Sequence, residues 1–193
     1  MDYIKKTYEF IKKEISFQEG SHNLDHTLRV LKNAVDIQKK EGGDYEIIVL
    51  STLLHDIARN LELSGKISCH AEEGAKISKK FLREIGYEKY EEVAYCIKTH
   101  RYKKGIIPQT LEARILQDAD RLDALGRIGV VRTLIHDSNR PLENSINHFY
   151  EKILKLKDTM NTKTAKNIAE KKHNIVLEFV KGLEEELNNK YTF

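Results

Sequence analysis

Apolar residues recur at spacings of three and four along almost the whole chain, and the strict alternation typical of half-buried strands is nearly absent. Such a spacing keeps apolar side chains on one face of an α-helix, where they can pack together. Glycines fall mostly between these periodic stretches, at places where helices commonly end. The pattern therefore predicts an all-α fold, a helical bundle of about seven to nine helices.

Breaks in the periodic pattern give the expected helix boundaries. Gly126 and Gly129 suggest a bend within the segment 109–136, which is interpreted as one long helix or as two abutting helices. In the second helix we expect one face to be buried, made of Leu24, Leu28, Leu31, Val35 and Ile37. The predicted helices cover about residues 2–17, 23–41, 44–59, 70–85, 87–99, 109–136, 142–158 and 162–189.

The length of 193 residues suits one ordinary domain with its own hydrophobic core. Hydrophobic residues make up 40% and charged residues 33%, which is typical of a globular protein with a well-solvated surface. No apolar run approaches the roughly 20 residues of a transmembrane helix, and the first residues lack the apolar core of a signal peptide. We therefore expect a cytoplasmic protein with no membrane partner, in which Cys69 and Cys96 are reduced and buried.

The charge balance limits the kinds of partner. Lys and Arg number 33 against 30 Asp and Glu, so the formal net charge is only +3. This composition argues against a nucleic-acid partner, because nucleic-acid binders usually concentrate basic residues on one face. A local group of Arg and Lys would still suit a small phosphorylated molecule.

One stretch, residues 47–58, is apolar on nearly all sides and yet contains the pair His55–Asp56. Such a helix should be central and buried, and an unpaired carboxylate there would be strongly disfavoured. A bound divalent cation would resolve this, since imidazole nitrogen and carboxylate oxygen both coordinate such ions. The alternative is a His–Asp pair whose hydrogen bonds are satisfied by other side chains.

The dipeptide alone is weak evidence, because His136–Asp137 repeats it. This second copy runs into the turn-like stretch 138–141, and it is interpreted as a solvated helix end. Only the surrounding sequence can separate the two copies.

Two further apolar segments carry polar residues where a core would prefer none. His26 lies one helical turn before Val30 and therefore near the apolar stripe of its helix. Asp120 lies three residues before Asp123, so these two carboxylates could share a helix face, with Asp118 directed elsewhere. The polar residues in these segments strengthen the context of His55–Asp56 relative to that of His136–Asp137.

The order His26, then His55–Asp56, then Asp120 resembles the HD superfamily of metal-dependent phosphohydrolases, whose metal ligands come in that order from separate helices. The C-terminal stretch 147–162 is similar to the compact single-domain microbial branch of that superfamily. The resemblance extends to flanking residues in the segments 25–30, 53–59 and 117–126.

The resemblance implies one HD-type domain over residues 1–193, with a metal-binding core of about 20–137 and C-terminal helices 142–189 packed on it. It also implies a nitrogen and oxygen site for a divalent metal cofactor. Mn²⁺ is favoured for that site, and Fe²⁺, Ni²⁺, Zn²⁺ and Mg²⁺ are also suitable. The implied ligands are His26, His55, Asp56 and Asp120.

Other residues are candidates for contacts with a phosphorylated substrate. His70 and His100 lie between the HD pair and the last Asp, like the extra histidines of HD proteins that hold two metals. With one metal, the interpretation we favour, they would contact phosphate or support the ligands, and a capping or surface position is the structural alternative. The candidate phosphate contacts are Arg59, His70, His100, Arg101 and Lys104, each of which could instead be an ordinary polar side chain.

Hydrolysis at phosphorus is the chemistry that the resemblance implies. A bound metal would lower the pKa of water and stabilise negative charge on the phosphoryl oxygens. A carboxylate would accept the proton of that water, and the acidic residues available are Asp56, Asp118, Glu62, Glu72 and Glu73. The candidate catalytic residues are Asp56, Arg59 and Asp118.

The implied partner is a small phosphorylated substrate, and the compact branch indicates a nucleotide. The reaction would be hydrolysis of a nucleoside triphosphate to monophosphate and pyrophosphate, or dephosphorylation of a nucleotide. No Gly-Tyr-Pro motif follows Asp120, which argues against cleavage of cyclic dinucleotides. The alternatives are a catalytically silent module that binds metal or nucleotide, and a plain helical scaffold.

Overall fold

The computed structural model describes residues 2–15, 23–101 and 105–188. Within these ranges all regular structure is helical, without a strand, so the prediction of an all-α fold is confirmed. Lys104, a predicted phosphate contact, lies outside the described residues. No helix in the described ranges is both long and apolar enough to cross a lipid bilayer.

The chain divides into two compact units, residues 1–120 and 121–193. That the whole chain forms one HD-type domain stays a prediction. The described elements are α1 (Tyr3–Ile15), α2 (Leu24–Glu41), α3 (Tyr45–Leu54), α4 (Arg59–Leu63), α5 (His70–Glu84), α6 (Tyr90–Thr99), α7 (Leu111–Asp123), α8 (Gly126–His136), α9 (Leu142–Glu151), a 3₁₀ helix (Ile153–Thr159) and α10 (Lys163–Asn188).

Helix α3 forms the centre of the first unit. Every side chain from Ile47 to Leu54 is buried, as the apolar pattern of this segment predicts. Helices α1, α2 and α6 pack against α3, and α5 packs on α6. Asp44 caps the helix by accepting hydrogen bonds from the backbone N–H groups of Glu46 and Ile47 at 3.0 and 3.2 Å. This helix therefore holds whatever follows its C-terminus at the middle of the unit.

The predicted helix over residues 44–59 is wrong at its end, because α3 stops at Leu54 and residues 55–58 form turns. Backbone hydrogen bonds from Ile57 to Leu54 (3.1 Å) and from Arg59 to Asp56 (2.9 Å) tighten the chain there. Neighbouring residues on an α-helix point about 100° apart. The turn instead lets His55 Nε2 and Asp56 Oδ2 approach to 3.6 Å.

The buried face of α2 also differs from the predicted face. Leu28 is 37% exposed, whereas His26 is fully buried. This face lies against α3 and includes Val30, so the expected closeness of His26 and Val30 is correct. The buried residues of α2 are His26, Thr27, Val30, Ala34 and Ile37.

The second unit contains α8, α9, the 3₁₀ helix and α10. The segment 109–136 forms two helices, and the second begins at Gly126, which has a positive φ of 71°. The predicted helix over 142–158 is interrupted after Glu151, and a 3₁₀ helix follows. Helix α10 packs against α8, α9 and the 3₁₀ helix. Its buried side chains in that packing include Ala165, Ala169, Val176 and Val180.

Candidate metal centre

The four side chains that the sequence analysis names as metal ligands lie together in the first unit. His26 Nε2 is 3.3 Å from His55 Nε2, 3.7 Å from Asp56 Oδ2 and 3.5 Å from Asp120 Oδ1. His26 and His55 are fully buried, and Asp56 is almost so. This first group therefore brings two ring nitrogens and two carboxylates to one point.

Local structure holds each member of the first group in place. The side chain of Asn23 caps α2 and accepts a hydrogen bond from the backbone N–H of His26 at 3.1 Å. Asp120 lies on α7, and Asn33 of α2 donates to the carbonyl of the adjacent Ala119 at 3.2 Å. Helices α2 and α7 are therefore linked directly beside their two candidate ligands.

Backbone carbonyls fix the tautomers of two histidines. His55 Nδ1 lies 2.7 Å from the carbonyl oxygen of Thr52, and His100 Nδ1 lies 2.6 Å from that of Ile97. A carbonyl oxygen can only accept, so each Nδ1 carries the proton and each Nε2 offers a lone pair. Metal-binding histidines commonly show this arrangement.

A second group adjoins the first through Asp56. Asp56 Oδ1 lies 3.3 Å from His70 Nε2 and 3.8 Å from His100 Nε2, and the two ring nitrogens are 3.4 Å apart. Asp56 thus directs Oδ2 at the first group and Oδ1 at the second. From the sequence, His70 and His100 are expected to contact phosphate or to support the ligands; the geometry places them beside a carboxylate in a second group that could hold a metal ion.

Glu62 links His70 to two arginines. One carboxylate oxygen lies 2.7 Å from both His70 Nδ1 and Arg59 Nη1, and the other lies 2.7 Å from Arg101 Nη1. A proton on His70 Nδ1 directed at Glu62 leaves Nε2 free to bind a metal. From the sequence, Glu62 is expected only as a candidate base, although its position three residues after Arg59 on α4 is a signal for an ion pair.

Burial and neighbouring charges shift the pKa values of these groups. Burial lowers the pKa of His70 to about 4, although the charge of Asp56 acts in the opposite direction. Burial would raise the pKa of Asp120, but attraction to His26, together with smaller contributions, holds it below its ordinary value. His70 is therefore neutral and Asp120 ionised near neutral pH, which are the forms that bind metals.

The pKa values of two other side chains follow from the same network. Burial would raise the pKa of Glu62, but the hydrogen bond with His70 and the nearby arginines lower it. Burial would lower the pKa of His100, but contact with the Asp56 carboxylate raises it. Asp56 therefore attracts positive charge on its Oδ1 side as well.

The donor set fits a divalent cation. Imidazole nitrogens and carboxylate oxygens suit borderline and hard divalent ions, and no thiolate takes part. The Nε2 atoms of four histidines lie 3.3–3.8 Å from carboxylate oxygens of Asp56 or Asp120, so both kinds of atom could coordinate a cation placed among them. His26, His55, Asp56 and Asp120 would hold one ion, and Asp56, His70 and His100 would hold another.

Some of the predicted site residues lie outside the two groups, and others form ion pairs with Glu62. Asp118 is buried on α7, and neither group of metal-binding side chains in the described ranges includes it. Arg59 and Arg101 both contact Glu62. A base role for Asp118 and phosphate contacts for the two arginines stay predictions.

The thiols take no part in either group. Cys69 and Cys96 are buried, as predicted, and they are not joined to each other in a disulfide. Burial raises the pKa of Cys96 to about 12, so its thiol stays protonated at neutral pH.

Comparison with known proteins identifies the family. The model of the HD domain matches residues 23–125, a range that includes every member of both groups. The chain belongs to the HD domain family. The resemblance noted in the sequence is thereby confirmed.

Two solved structures match over nearly the whole chain. An HD-superfamily hydrolase from Bacillus thuringiensis is 33% identical, with 98% of each chain covered and a TM-score of 0.76. The Lin1889 protein from Listeria innocua is 32% identical, with 97% of this chain and 96% of that one covered, and a TM-score of 0.76.

YpgQ from Bacillus subtilis, an uncharacterized protein, is 29% identical over 188 residues, or 92% of this chain and 90% of YpgQ. The crystal structure of YpgQ in complex with ADP has a TM-score of 0.78 and covers 96% of this chain and 98% of that one. This HD protein therefore has the fold of HD-superfamily hydrolases and, within it, two adjoining groups of His and Asp able to hold metal.

Proposed function

We propose that this protein is a divalent-metal-dependent phosphohydrolase that acts on nucleotides. The observation that carries the proposal is the Asp56 carboxylate, which directs one oxygen at His26 and His55 and the other at His70 and His100. Such a shared carboxylate suits two neighbouring cations. The proposal thus departs from the one-metal interpretation favoured by the sequence alone.

The side chains of the two groups act by holding charge in fixed positions. His55 is oriented by Thr52, and His70 is oriented by Glu62, so neither ring has to rotate when an ion binds. Divalent ions held there would polarise a phosphoryl oxygen and lower the pKa of a water molecule. Asp56 and Asp120 balance part of the positive charge and keep the groups together.

Arg59 and Arg101 are the proposed contacts for phosphate oxygens. Their side chains are 21% and 20% exposed, and they converge on Glu62 beside the second group. A guanidinium group has five N–H donors, so its bond to Glu62 leaves others for phosphate. Glu62 would keep these arginines in place before substrate arrives.

A nucleotide is the proposed substrate class because the related YpgQ was crystallised with ADP. Two reactions fit the class: release of pyrophosphate from a nucleoside triphosphate, and release of inorganic phosphate from a nucleotide. The reactions differ in which phosphorus is attacked, and their products therefore distinguish them.

The test is turnover of a nucleotide panel by the full-length protein after chelation and reloading with Mn²⁺, Mg²⁺, Co²⁺, Ni²⁺, Fe²⁺ or Zn²⁺. We expect hydrolysis only with metal, and pyrophosphate and inorganic phosphate are measured separately. His55→Ala and Asp120→Ala should lose metal and activity while keeping their helical circular dichroism. Asp137→Ala, which changes the other His–Asp pair, should hydrolyse nucleotides at the wild-type rate.

Two outcomes would contradict the proposal. Metal binding without any product from the panel would identify a silent metal- or nucleotide-binding module instead. Loss of activity in Asp137→Ala with normal activity in Asp120→Ala would mean that the wrong pair had been assigned.

A further inference from the structure

The second His–Asp pair belongs to a cluster of its own in the unit 121–193. Asp137 ends α8, and its backbone N–H bonds to the carbonyl of Thr133 at 3.0 Å. The chain then turns through residues 138–141 into α9, which carries His148. The cluster shares no residue with the metal centre of the first unit.

The three side chains of this cluster meet at short distances. His136 Nδ1 lies 2.8 Å from Asp137 Oδ1, and His148 Nδ1 lies 2.9 Å from Asp137 Oδ2. The two imidazole rings are 5.4 Å apart at an angle of 60°. Each oxygen of the Asp137 carboxylate therefore accepts a hydrogen bond from one imidazole.

The burial of Asp137 makes the cluster unusual. Its side chain is 1% exposed, so the prediction of a solvated helix end is wrong for Asp137, although His136 is 53% exposed. Asp137 also lies at the C-terminus of α8, where the helix dipole disfavours a negative charge. A buried carboxylate at the negative end of a helix needs positive charge close to it.

We propose that His136, Asp137 and His148 form a binding site for a transition-metal dication of borderline softness, best represented by Zn²⁺. Two imidazole nitrogens and one carboxylate oxygen are ligands that Zn²⁺ accepts, with water in the fourth position. Ligand atoms around a tetrahedral Zn²⁺ with bonds of about 2.0–2.1 Å lie roughly 3.3 Å apart. One ligand atom from each of the three residues can be chosen so that all three lie within 4.8 Å of one another, and modest movements of the side chains would bring them to that spacing.

Binding requires one change in the imidazoles. Each Nδ1 that donates to Asp137 must lose its proton, either to solvent or by moving to the tautomer protonated at Nε2. His136 is half-exposed, so it gives an ion and a departing proton access to solvent. The ion would join the end of α8 to α9, eleven residues further along the chain.

Arg140 is the neighbouring charge that opposes this site. Its Nη1 lies 3.5 Å from Asp137 Oδ1, and its side chain is 59% exposed. A guanidinium at that distance competes with a cation for the carboxylate, but an exposed side chain can swing away. Replacing Arg140 should therefore tighten metal binding.

The experiment counts ions bound to the full-length protein when the metal centre of the first unit is disabled. Asp56→Asn combined with Asp120→Asn provides that background, and Zn²⁺ is titrated by calorimetry while Co²⁺ is followed by its visible absorption. We expect one ion per chain to remain. Adding His136→Ala or His148→Ala should weaken binding by more than the roughly 10- to 100-fold loss typical of changes to groups that only support a ligand.

Matched controls separate the site from nonspecific binding. Asn147→Ala, an exposed change next to His148, should leave the affinity unaltered, and Arg140→Gln should raise it. His136→Ala changes an exposed side chain and should leave nucleotide hydrolysis and circular dichroism as in the wild type. If the double variant unfolds, the ions bound per chain are counted in the wild type and in the single variant His136→Ala. The single variant should bind one ion fewer.

Two results would overturn the proposal. In the first, the folded Asp56→Asn, Asp120→Asn double variant binds no Zn²⁺ or Co²⁺. In the second, its affinity for these ions is the same with and without His136→Ala. Either result would leave the cluster as a hydrogen-bonded link between α8 and α9. Neither result would affect the proposed hydrolase activity, which depends on residues of the first unit.

Discussion

Glu62 occupies a central position among the side chains of the first unit, since both of its oxygens are used. It contacts His70, Arg59 and Arg101, each at 2.7 Å. Groups that orient metal-binding histidines typically affect metal affinity about 10- to 100-fold when they are changed. We therefore expect Glu62 to affect metal binding through His70, although it belongs to neither group.

The prediction for Glu62→Ala is a loss of metal affinity of about 10- to 100-fold, because His70 loses its orienting partner. Excess Mn²⁺ should restore most of the kcat, while the KM for nucleotide stays raised because Arg59 and Arg101 are no longer fixed. Metal titration of activity and of calorimetric binding measures both effects. Glu73→Ala is the control, since Glu73 pairs with the exposed Lys76; an equal loss there would argue against a positioning role for Glu62.

For single residues, the sequence can reveal a candidate site residue when a polar side chain stands in an apolar segment. His55, Asp56 and Asp120 are polar residues in apolar segments, and that contrast is visible along the chain. Glu62 lies among other polar residues, so its contacts with Arg101 and His70 depend on how separate helices meet. The burial of Asp137 likewise depends on His148, which approaches from the next helix.

Among the elements, α3 matters most for placing the metal centre, and its first residues anchor it. Asp44 caps the helix and also accepts a hydrogen bond from Lys89 at 2.6 Å. The hydrogen bond from Lys89 and the capped backbone N–H groups hold the pKa of Asp44 below its ordinary value, although burial acts against them. The folded state therefore favours the ionised form of Asp44.

Asp44→Ala should lower the free energy of unfolding by about 1–2 kcal/mol at pH 7. The folded pKa lies below the unfolded one, so this stabilisation is complete above the unfolded pKa of 3.8 and is lost as the pH falls through the folded pKa. Denaturant unfolding of wild type and variant at pH 7 and pH 3 should show the difference shrinking. A constant difference would contradict a contribution from charge.

Gly129 and Gly74 give a paired test of helix packing. A Cβ at Gly129 would clash with the backbone oxygen of Ala124, whereas at Gly74 it would meet only ordinary contacts of 3.5 Å or more. Gly129→Ala should therefore lose about 1–3 kcal/mol of stability. Gly74→Ala should be neutral or gain up to about 1 kcal/mol, since alanine favours helix. Thermal unfolding compares them, and equal Tm values would contradict the close approach at Gly129.

Helix boundaries were predictable where the sequence carries a local signal. Gly126 marks the start of α8, as one of the two interpretations of segment 109–136 expects. The end of α3 was not predictable, because apolar residues continue through Ile57 and Ala58. That helix ends where the side chains of His55 and Asp56 turn toward the same group of candidate ligands, and this requirement comes from the site rather than from local helix propensity.

For the molecule as a whole, metal binding and stability should be linked. An ion that binds only the folded state adds about 2.7 kcal/mol at one hundred times its Kd. For a chain of this length, that stabilisation corresponds to a rise in Tm of roughly 5–10 °C. Differential scanning calorimetry with and without Mn²⁺ measures the rise. Asp120→Ala should abolish most of it, and an undiminished rise would place the stabilising ion elsewhere.

The all-α fold and the family could be derived from sequence because both depend on features spread along the chain. The recurring apolar spacing gives the helices, and the order of His26, His55, Asp56 and Asp120 gives the family. The grouping of His70 and His100 around Asp56 required the three-dimensional structure, since α5 and α6 bring them there from separate positions.

The shared position of Asp56 also has an evolutionary consequence. His70 and His100 belong to one group of metal-binding side chains, whereas Asp56 belongs to both. Mutation of codon 70 or 100 would leave the first group whole, but one missense change at codon 56 would disable the two together. Descendants of this gene that no longer bind metal are therefore expected to differ first at position 56.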